Sequence, residues 1–274
     1  MKHILFIFIF VFSFSTYAQE ITWKKHPVDG HRTGVTQGAA DKVVESMGKV
    51  KKFKSYYSPN GERHKKKTST RKTAKHLIKA QGAMSSVKEV IGQSAKAMTK
   101  KRPECALTNW FIDQVMEKTS ELTGKHVDIG FANFGGVRTD MPEGDIFRDD
   151  IMSMFPFKNT LYYFTMKGEY VKKLLKDMAS RNAEIVGGIR AEFKDKEVVS
   201  ATINGEPIED EKVYGVATID FLMEGSGWFR FGKYAIDRED TKVLVMDAML
   251  QHVEEQTKLG KKIEYKSDGR IKKQ

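Results

Sequence analysis

Asn133-Phe134-Gly135-Gly136-Val137-Arg138 follows directly on a segment in which Val127, Ile129 and Phe131 alternate with His126, Asp128 and Gly130. That alternation has period two and predicts a strand. The hexapeptide breaks the pattern. Two adjacent glycines let the backbone turn sharply and approach a ligand closely. Successive N–H groups in such a turn form a nest for an anion. Asn133 adds an amide, and Arg138 adds a planar fork that matches phosphate. Taken alone, the same residues also read as a glycine-rich turn carrying a surface arginine.

The elements on either side set this turn in a mixed fold. Upstream, Pro103 can open a helix on which Leu107, Trp110, Phe111, Val115 and Leu122 fall at helical spacing, with Gly124 to end it. Further upstream, helices are predicted around residues 73–80 and 85–98. Downstream, residues 161–166 predict a strand, and Val171, Leu174, Leu175 and Met178 an amphipathic helix. Residues 186–193 and 198–203 read as hairpin partners. Asn204-Gly205 is a hairpin turn from which residues 213–218 are expected to return. A last helix is predicted over 243–259, closed by Gly260. Helices interspersed with hairpins point to an α+β fold.

Two further segments carry aromatic residues in loops beside strands. Met154-Phe155-Pro156-Phe157-Lys158-Asn159-Thr160 offers Phe157, and Ala217-Thr218-Ile219-Asp220-Phe221-Leu222-Met223 offers Phe221. An exposed ring can stack on a planar base for about 1–3 kcal/mol. Either phenylalanine alone is equally an ordinary core residue.

In this order and spacing the segments resemble the C-terminal, substrate-binding domain of the 5′-nucleotidase family of secreted metallophosphoesterases. Its Glu-x-x-x-x-Asn helix pattern is matched from Glu104 to Asn109, its Asn-x-Gly-Gly-x-Arg turn from Asn133 to Arg138, and its Pro-Phe-x-Asn loop from Pro156 to Asn159. Gly187-Gly188 matches a Gly-Gly strand, and 220–228 an Asn-Phe-Leu segment, imperfectly. The resemblance covers about residues 100–265 and implies a layered α/β/β/α domain. It further implies that Phe157 and Phe221 clamp a base, and that Asn133 and Arg138 hold ribose-side and phosphate groups. Gly135 and Gly136 would form the turn, and Gly187 or Gly188 would approach the base closely. Arg102, beside Lys101, stands near the place of another phosphate-binding arginine of the family. One departure stands out: the family's ribose-binding Asp falls on Gly227, which puts sugar recognition in doubt.

The chain has 274 residues and a formal charge of +11, unevenly placed. Residues 19–103 hold 21 Lys and Arg against 6 Asp and Glu, and residues 104–274 hold 25 against 30. A basic arm (19–99) is thus expected before the domain (100–265), with a basic tail (266–274) after it. The arm's runs, such as Arg63-His64-Lys65-Lys66-Lys67, suit polyanions. No base-reading motif accompanies them, so nucleic acid is not the expected partner. A positive start and an apolar stretch ending at Ala18 read as an export signal, residues 1–18, and predict a periplasmic or secreted protein. No later apolar run nears the ~18 residues of a membrane span. The single Cys105 excludes an intrachain disulfide framework.

In the resembled family a metallophosphoesterase domain with two metal ions does the chemistry. Residues 19–99 are too few for it, and Asp29-Gly30-His31 reads as a turn rather than a ligand pair. The expectation is therefore that this chain binds no cofactor of its own and that a separate metallophosphoesterase chain supplies the divalent metal pair. The arm from Trp23 to Val35 resembles that of stand-alone members of this kind.

Overall fold

A computed structural model describes residues 47–51, 55–80, 82, 85–224 and 230–274. The expected export signal, the segment from Trp23 to Val35, Asp29, His31 and Gly227 lie outside the described residues. The chain forms two compact units, 1–76 and 77–274.

The first unit holds three two-residue strands, β1 (Lys49–Val50), β2 (Tyr56–Tyr57) and β3 (Arg63–His64), paired antiparallel in that order. A turn over residues 58–61 joins β2 to β3, with Gly61 N–H donating to the Ser58 carbonyl at 2.9 Å. Helix α1 (Ser69–Ala80) begins after Thr68, whose hydroxyl accepts from the Arg71 N–H at 3.3 Å as an N-cap.

The first strand of the second unit lies ten residues before the domain start expected at residue 100. The helix expected over residues 85–98 is a single 3₁₀ turn, Ser85–Lys88, followed by strand β4 (Val90–Ser94). β4 pairs with β6 (Gly144–Phe147), so the segment belongs to the domain rather than to the arm. Helix α2 (Ala106–Thr123) forms as its spacing dictates, with Leu107, Trp110, Phe111 and Val115 buried. Leu122, expected on the same face, is exposed.

A five-stranded sheet in the order β13-β7-β12-β5-β8 forms the centre. Its strands are β5 (Ile129–Ala132), β7 (Thr160–Lys167), β8 (Ile185–Gly187), β12 (Val213–Ile219) and β13 (Arg238–Leu244). β5 and β12 are parallel, and the other neighbours are antiparallel. Helices α2 and α6 (Val245–Lys258) cover one face. The opposite face carries Ile129, Phe131, Phe164 and Val216, against which Phe231 packs with ring centroids 5.5 Å from Phe131 and 5.1 Å from Phe164. Helix α3 (Arg148–Met154) follows β6, and helix α4 (Gly168–Ser180) follows β7.

A second sheet has the order β11-β10-β9-β14, from β9 (Ile189–Lys194), β10 (Glu197–Ile203), β11 (Glu206–Pro207) and β14 (Ile271–Lys273). The hairpin expected from residues 186–193 and 198–203 is β9–β10. The Asn204-Gly205 turn returns into β11, not into residues 213–218, which join the central sheet instead. The expected basic tail is also part of the fold, because β14 pairs parallel with β9. The result is an α+β domain.

Candidate functional site

The register of the central sheet decides which loops meet. Val216 pairs with Ile129 across the parallel strands, so the carboxyl ends of β5 and β12 lie side by side. Ile219 pairs with Leu161, which brings the start of antiparallel β7 to the same end. The loop after β5 holds Asn133 to Arg138, the loop before β7 holds Phe157, and the short helix α5 (Asp220–Met223) after β12 holds Phe221.

After β5 the chain makes one 3₁₀ turn, Phe134–Gly136, with Gly136 N–H donating to the Asn133 carbonyl at 3.0 Å. A Cβ on Gly136 would stand 3.1 Å from Asn133 Oδ1, so the turn lies close over that side chain. Asn133 Oδ1 is itself buried without a hydrogen-bond partner among the described residues. Such an acceptor costs about 1–3 kcal/mol until a donor reaches it. Arg138 leaves the turn exposed, its N–H bound to the Met154 carbonyl at 2.9 Å. Its guanidinium carbon lies 5.9 Å from the Phe157 ring centroid.

The two candidate aromatic residues are surface residues, not core. Phe157 is 46% and Phe221 41% exposed, whereas neighbouring Phe155 is 3% exposed and stacks on Phe111 at 4.8 Å. A depression of about 280 Å³ is lined by Asn133, Gly136, Phe157 and Asn159, with Phe111 and Phe155 beneath. No ring contact joins Phe157 and Phe221 among the described residues.

Residues 83–233 match the family described as the 5′-nucleotidase, C-terminal domain. This chain belongs to that family. It is 34% identical over 182 residues to the NAD 5′-nucleotidase of Haemophilus influenzae, covering 58% of this chain and 29% of that protein. It is 28% identical over 199 residues to the trifunctional nucleotide phosphoesterase YfkN of Bacillus subtilis, covering 66% and 13%. The chain thus spans less than a third of these relatives. A solved 5′-nucleotidase precursor from Thermus thermophilus shares the fold with a TM-score of 0.61 at 22% identity, over 79% of this chain and 48% of that one.

Within this 5′-nucleotidase C-terminal domain, the helix pattern from Glu104 to Asn109 has a structural task. Buried Asn109 donates to Glu104 Oε2 at 2.5 Å, and Glu104 Oε1 accepts from the Gly269 N–H at 3.0 Å. The pair fastens the C-terminal segment onto α2. Arg270 continues the attachment. It is 8% exposed, forks onto Asp113 at 2.7 and 3.0 Å, and reaches Asp268 at 2.9 Å. Burial raises the Asp268 pKa, but the Arg270 hydrogen bonds outweigh it and hold the carboxyl below its ordinary value. Burial in the same cluster, beside Asp113, pushes the Tyr265 hydroxyl up to about 12.

The resemblance implies that Gly187 or Gly188 approaches the base, and in the structure the two glycines lie beside α2 and the start of β5. Gly187 pairs with Gly130, and a Cβ on either would lie 2.4–2.7 Å from Met116 or Ile112 of α2. The close approach they allow is that of a helix. Gly188 has φ +71°, and a Cβ there would sit 2.0 Å from the Asp128 carbonyl, at the opposite end of β5 from Asn133. Arg102 does reach the turn, but its guanidinium is taken up by the Ala183 carbonyl and by Glu184 at 3.4 Å, and lies 4.2 Å from the Phe134 ring. Glu184 also accepts the Phe134 N–H. That residue and Lys100, which binds the Val137 carbonyl and lies 5.2 Å from the same ring, carry no sequence signal that singles them out.

Among the described residues no group of three or more His, Cys, Asp or Glu side chains is arranged to hold a metal ion. No described helix is long and apolar enough to cross a membrane.

Proposed function

We propose that this chain is the nucleotide-binding half of an exported 5′-nucleotidase-type phosphoesterase, acting in phosphate monoester hydrolysis with a dimetal catalytic domain on a separate chain. The base stacks on Phe157 and Phe221, and the phosphate meets Arg138 and the amides of the Asn133–Gly136 turn. The observation that carries this reading is the exposed Arg138 fork 5.9 Å from an exposed Phe157, at the joint carboxyl ends of β5 and β12. A partnerless Asn133 Oδ1 beneath the turn adds an acceptor for a ligand donor. Gly187, Gly188 and Arg102 act by shaping the scaffold around the site.

Calorimetric titration with adenosine 5′-monophosphate, adenosine and inorganic phosphate tests the reading. The monophosphate should bind at least tenfold tighter than either fragment. Arg138→Ala should erase the advantage of the monophosphate over adenosine, and Phe157→Ala should weaken both. Absence of binding by all three would sink the proposal.

A second reading, a non-catalytic protein that docks on surface polyanions, is favoured by a different observation. Lys65, Lys66, Lys67, Lys72 and Lys75 have no carboxylate partner among the described residues, where Glu62 lies 3.9 Å from His64 instead. Binding to an immobilised polyanion that weakens steeply with salt and is lost on reversing Lys65 to Lys67 would support it.

A further inference from the structure

A built cavity in the domain that the nucleotide reading does not use lies on the other face of the central sheet. It encloses about 600 Å³ open to solvent, between α4 and the 3₁₀ turn Phe231–Lys233. Its floor is apolar, made by Met166, Leu174 and Phe231, each buried. Tyr170 and Tyr234 form one wall, stacked with centroids 4.6 Å apart and planes 27° from parallel. Lys173, Lys233 and Arg230 stand around the opening with Asp177, leaving two positive charges in excess. None of the three cations has a carboxylate within ion-pair distance among the described residues. Lys173 instead accepts company from a ring: its ammonium donates to the Tyr234 hydroxyl at 3.2 Å and lies 5.4 Å from that ring's centroid. The hydrogen bond to Tyr234 raises the lysine pKa, so the ammonium stays charged at neutral pH.

This cavity is separate from the Asn133 turn. Met166 is six residues along β7 from Thr160, which borders the first site. At about 3.3 Å per residue the two lie roughly 20 Å apart along the strand. A cavity with an apolar floor, an aromatic wall and a few convergent polar groups has the makeup of a small-molecule site. Its composition also selects the ligand. Buried apolar surface and stacked rings favour a planar ring, and cations that lack carboxylate partners favour an attached anion.

We propose that the cavity between α4 and the Phe231–Lys233 turn is a second binding site, for a planar ring that carries a phosphate or carboxylate group. Two sources share that chemistry, nucleotides and simple aryl acids, and the test separates them.

The experiment follows side-chain NMR signals of Tyr170, Lys173 and Tyr234 in the full chain carrying Arg138→Ala and Phe157→Ala, which remove the phosphate and base contacts proposed for the first site. The probes are phenyl phosphate, benzoate, adenosine 5′-monophosphate and inorganic phosphate. Phenyl phosphate or benzoate should shift these signals more strongly than inorganic phosphate does, and Lys173→Glu should weaken the response at least tenfold. Lys233→Glu, also at an exposed position, should do the same and guards against a folding defect in the first variant. A response to adenosine 5′-monophosphate but not to the aryl acids would assign the site to nucleotides, and the reverse to aryl acids. No shift with any ring-bearing probe, or shifts unchanged in both charge-reversed variants, would overturn the proposal. Neither result depends on whether wild-type protein binds a monophosphate at Arg138.

Discussion

Arg138 and Gly188 show how differently single residues report on function. Arg138 is held at its backbone and exposed at its fork, which gives the turn only one long hydrogen bond, to the Gly135 carbonyl at 3.3 Å, so replacing it changes mainly recognition. Arg138→Lys keeps the charge but loses the bidentate geometry, and should recover only part of the monophosphate affinity that Arg138→Ala loses. Titration of the two variants side by side reads the difference. Gly188→Ala should instead destabilise the domain by more than about 2 kcal/mol, because a left-handed backbone and a carbonyl 2.0 Å from the new Cβ both oppose it. A lowered midpoint in urea, with unaltered nucleotide affinity in the folded fraction, is the expected result. The turn from Asn133 to Arg138 was legible from sequence because strand, glycines and fork occur together. Gly187 and Gly188 are harder to read, since a glycine that admits a neighbouring element and one that admits a ligand are the same letter.

At the scale of elements, the short strands were the hard part. β4 was hidden because Val90 and Ile91, with Met84 and Met98 on either side, satisfy a helical spacing as well as a strand. β14 was hidden by its lysines, which read as a solvated tail although Ile271 is buried and Arg270 is locked to Asp113 and Asp268. Removing the arginine leaves two carboxylates with only the exposed Arg190, 3.9 Å from Asp268, as a nearby cation. Arg270→Met should therefore cost about 3 kcal/mol, the low end for a broken buried pair because both acids keep some water. The pH dependence has a definite sign. Asp268 has a depressed pKa when folded, so its contribution is present above the ordinary carboxylate value and is lost as pH falls through the folded one. Thermal unfolding should show wild type losing stability below roughly pH 4, with a shallower slope in Asp268→Asn.

Across the whole molecule, the domain has a continuous buried core, while the described residues carry no metal cluster. The chain alone should release no phosphate from adenosine 5′-monophosphate with divalent metal present, and a partner metallophosphoesterase should restore release. Turnover by the purified chain, persisting after Arg138→Ala, would contradict the division of labour proposed. The charge split along the sequence was legible at this scale, whereas the joining of the two sheets was not. β8 and β9 are one run of chain interrupted only by Gly188, with β8 in the central sheet and β9 in the second. One rope is therefore tied into two nets. Neither sheet can come apart far without pulling on the other, so the slowest-exchanging amides of β8 and β9 should trade hydrogen for deuterium at a common rate, set by a single opening of the whole domain.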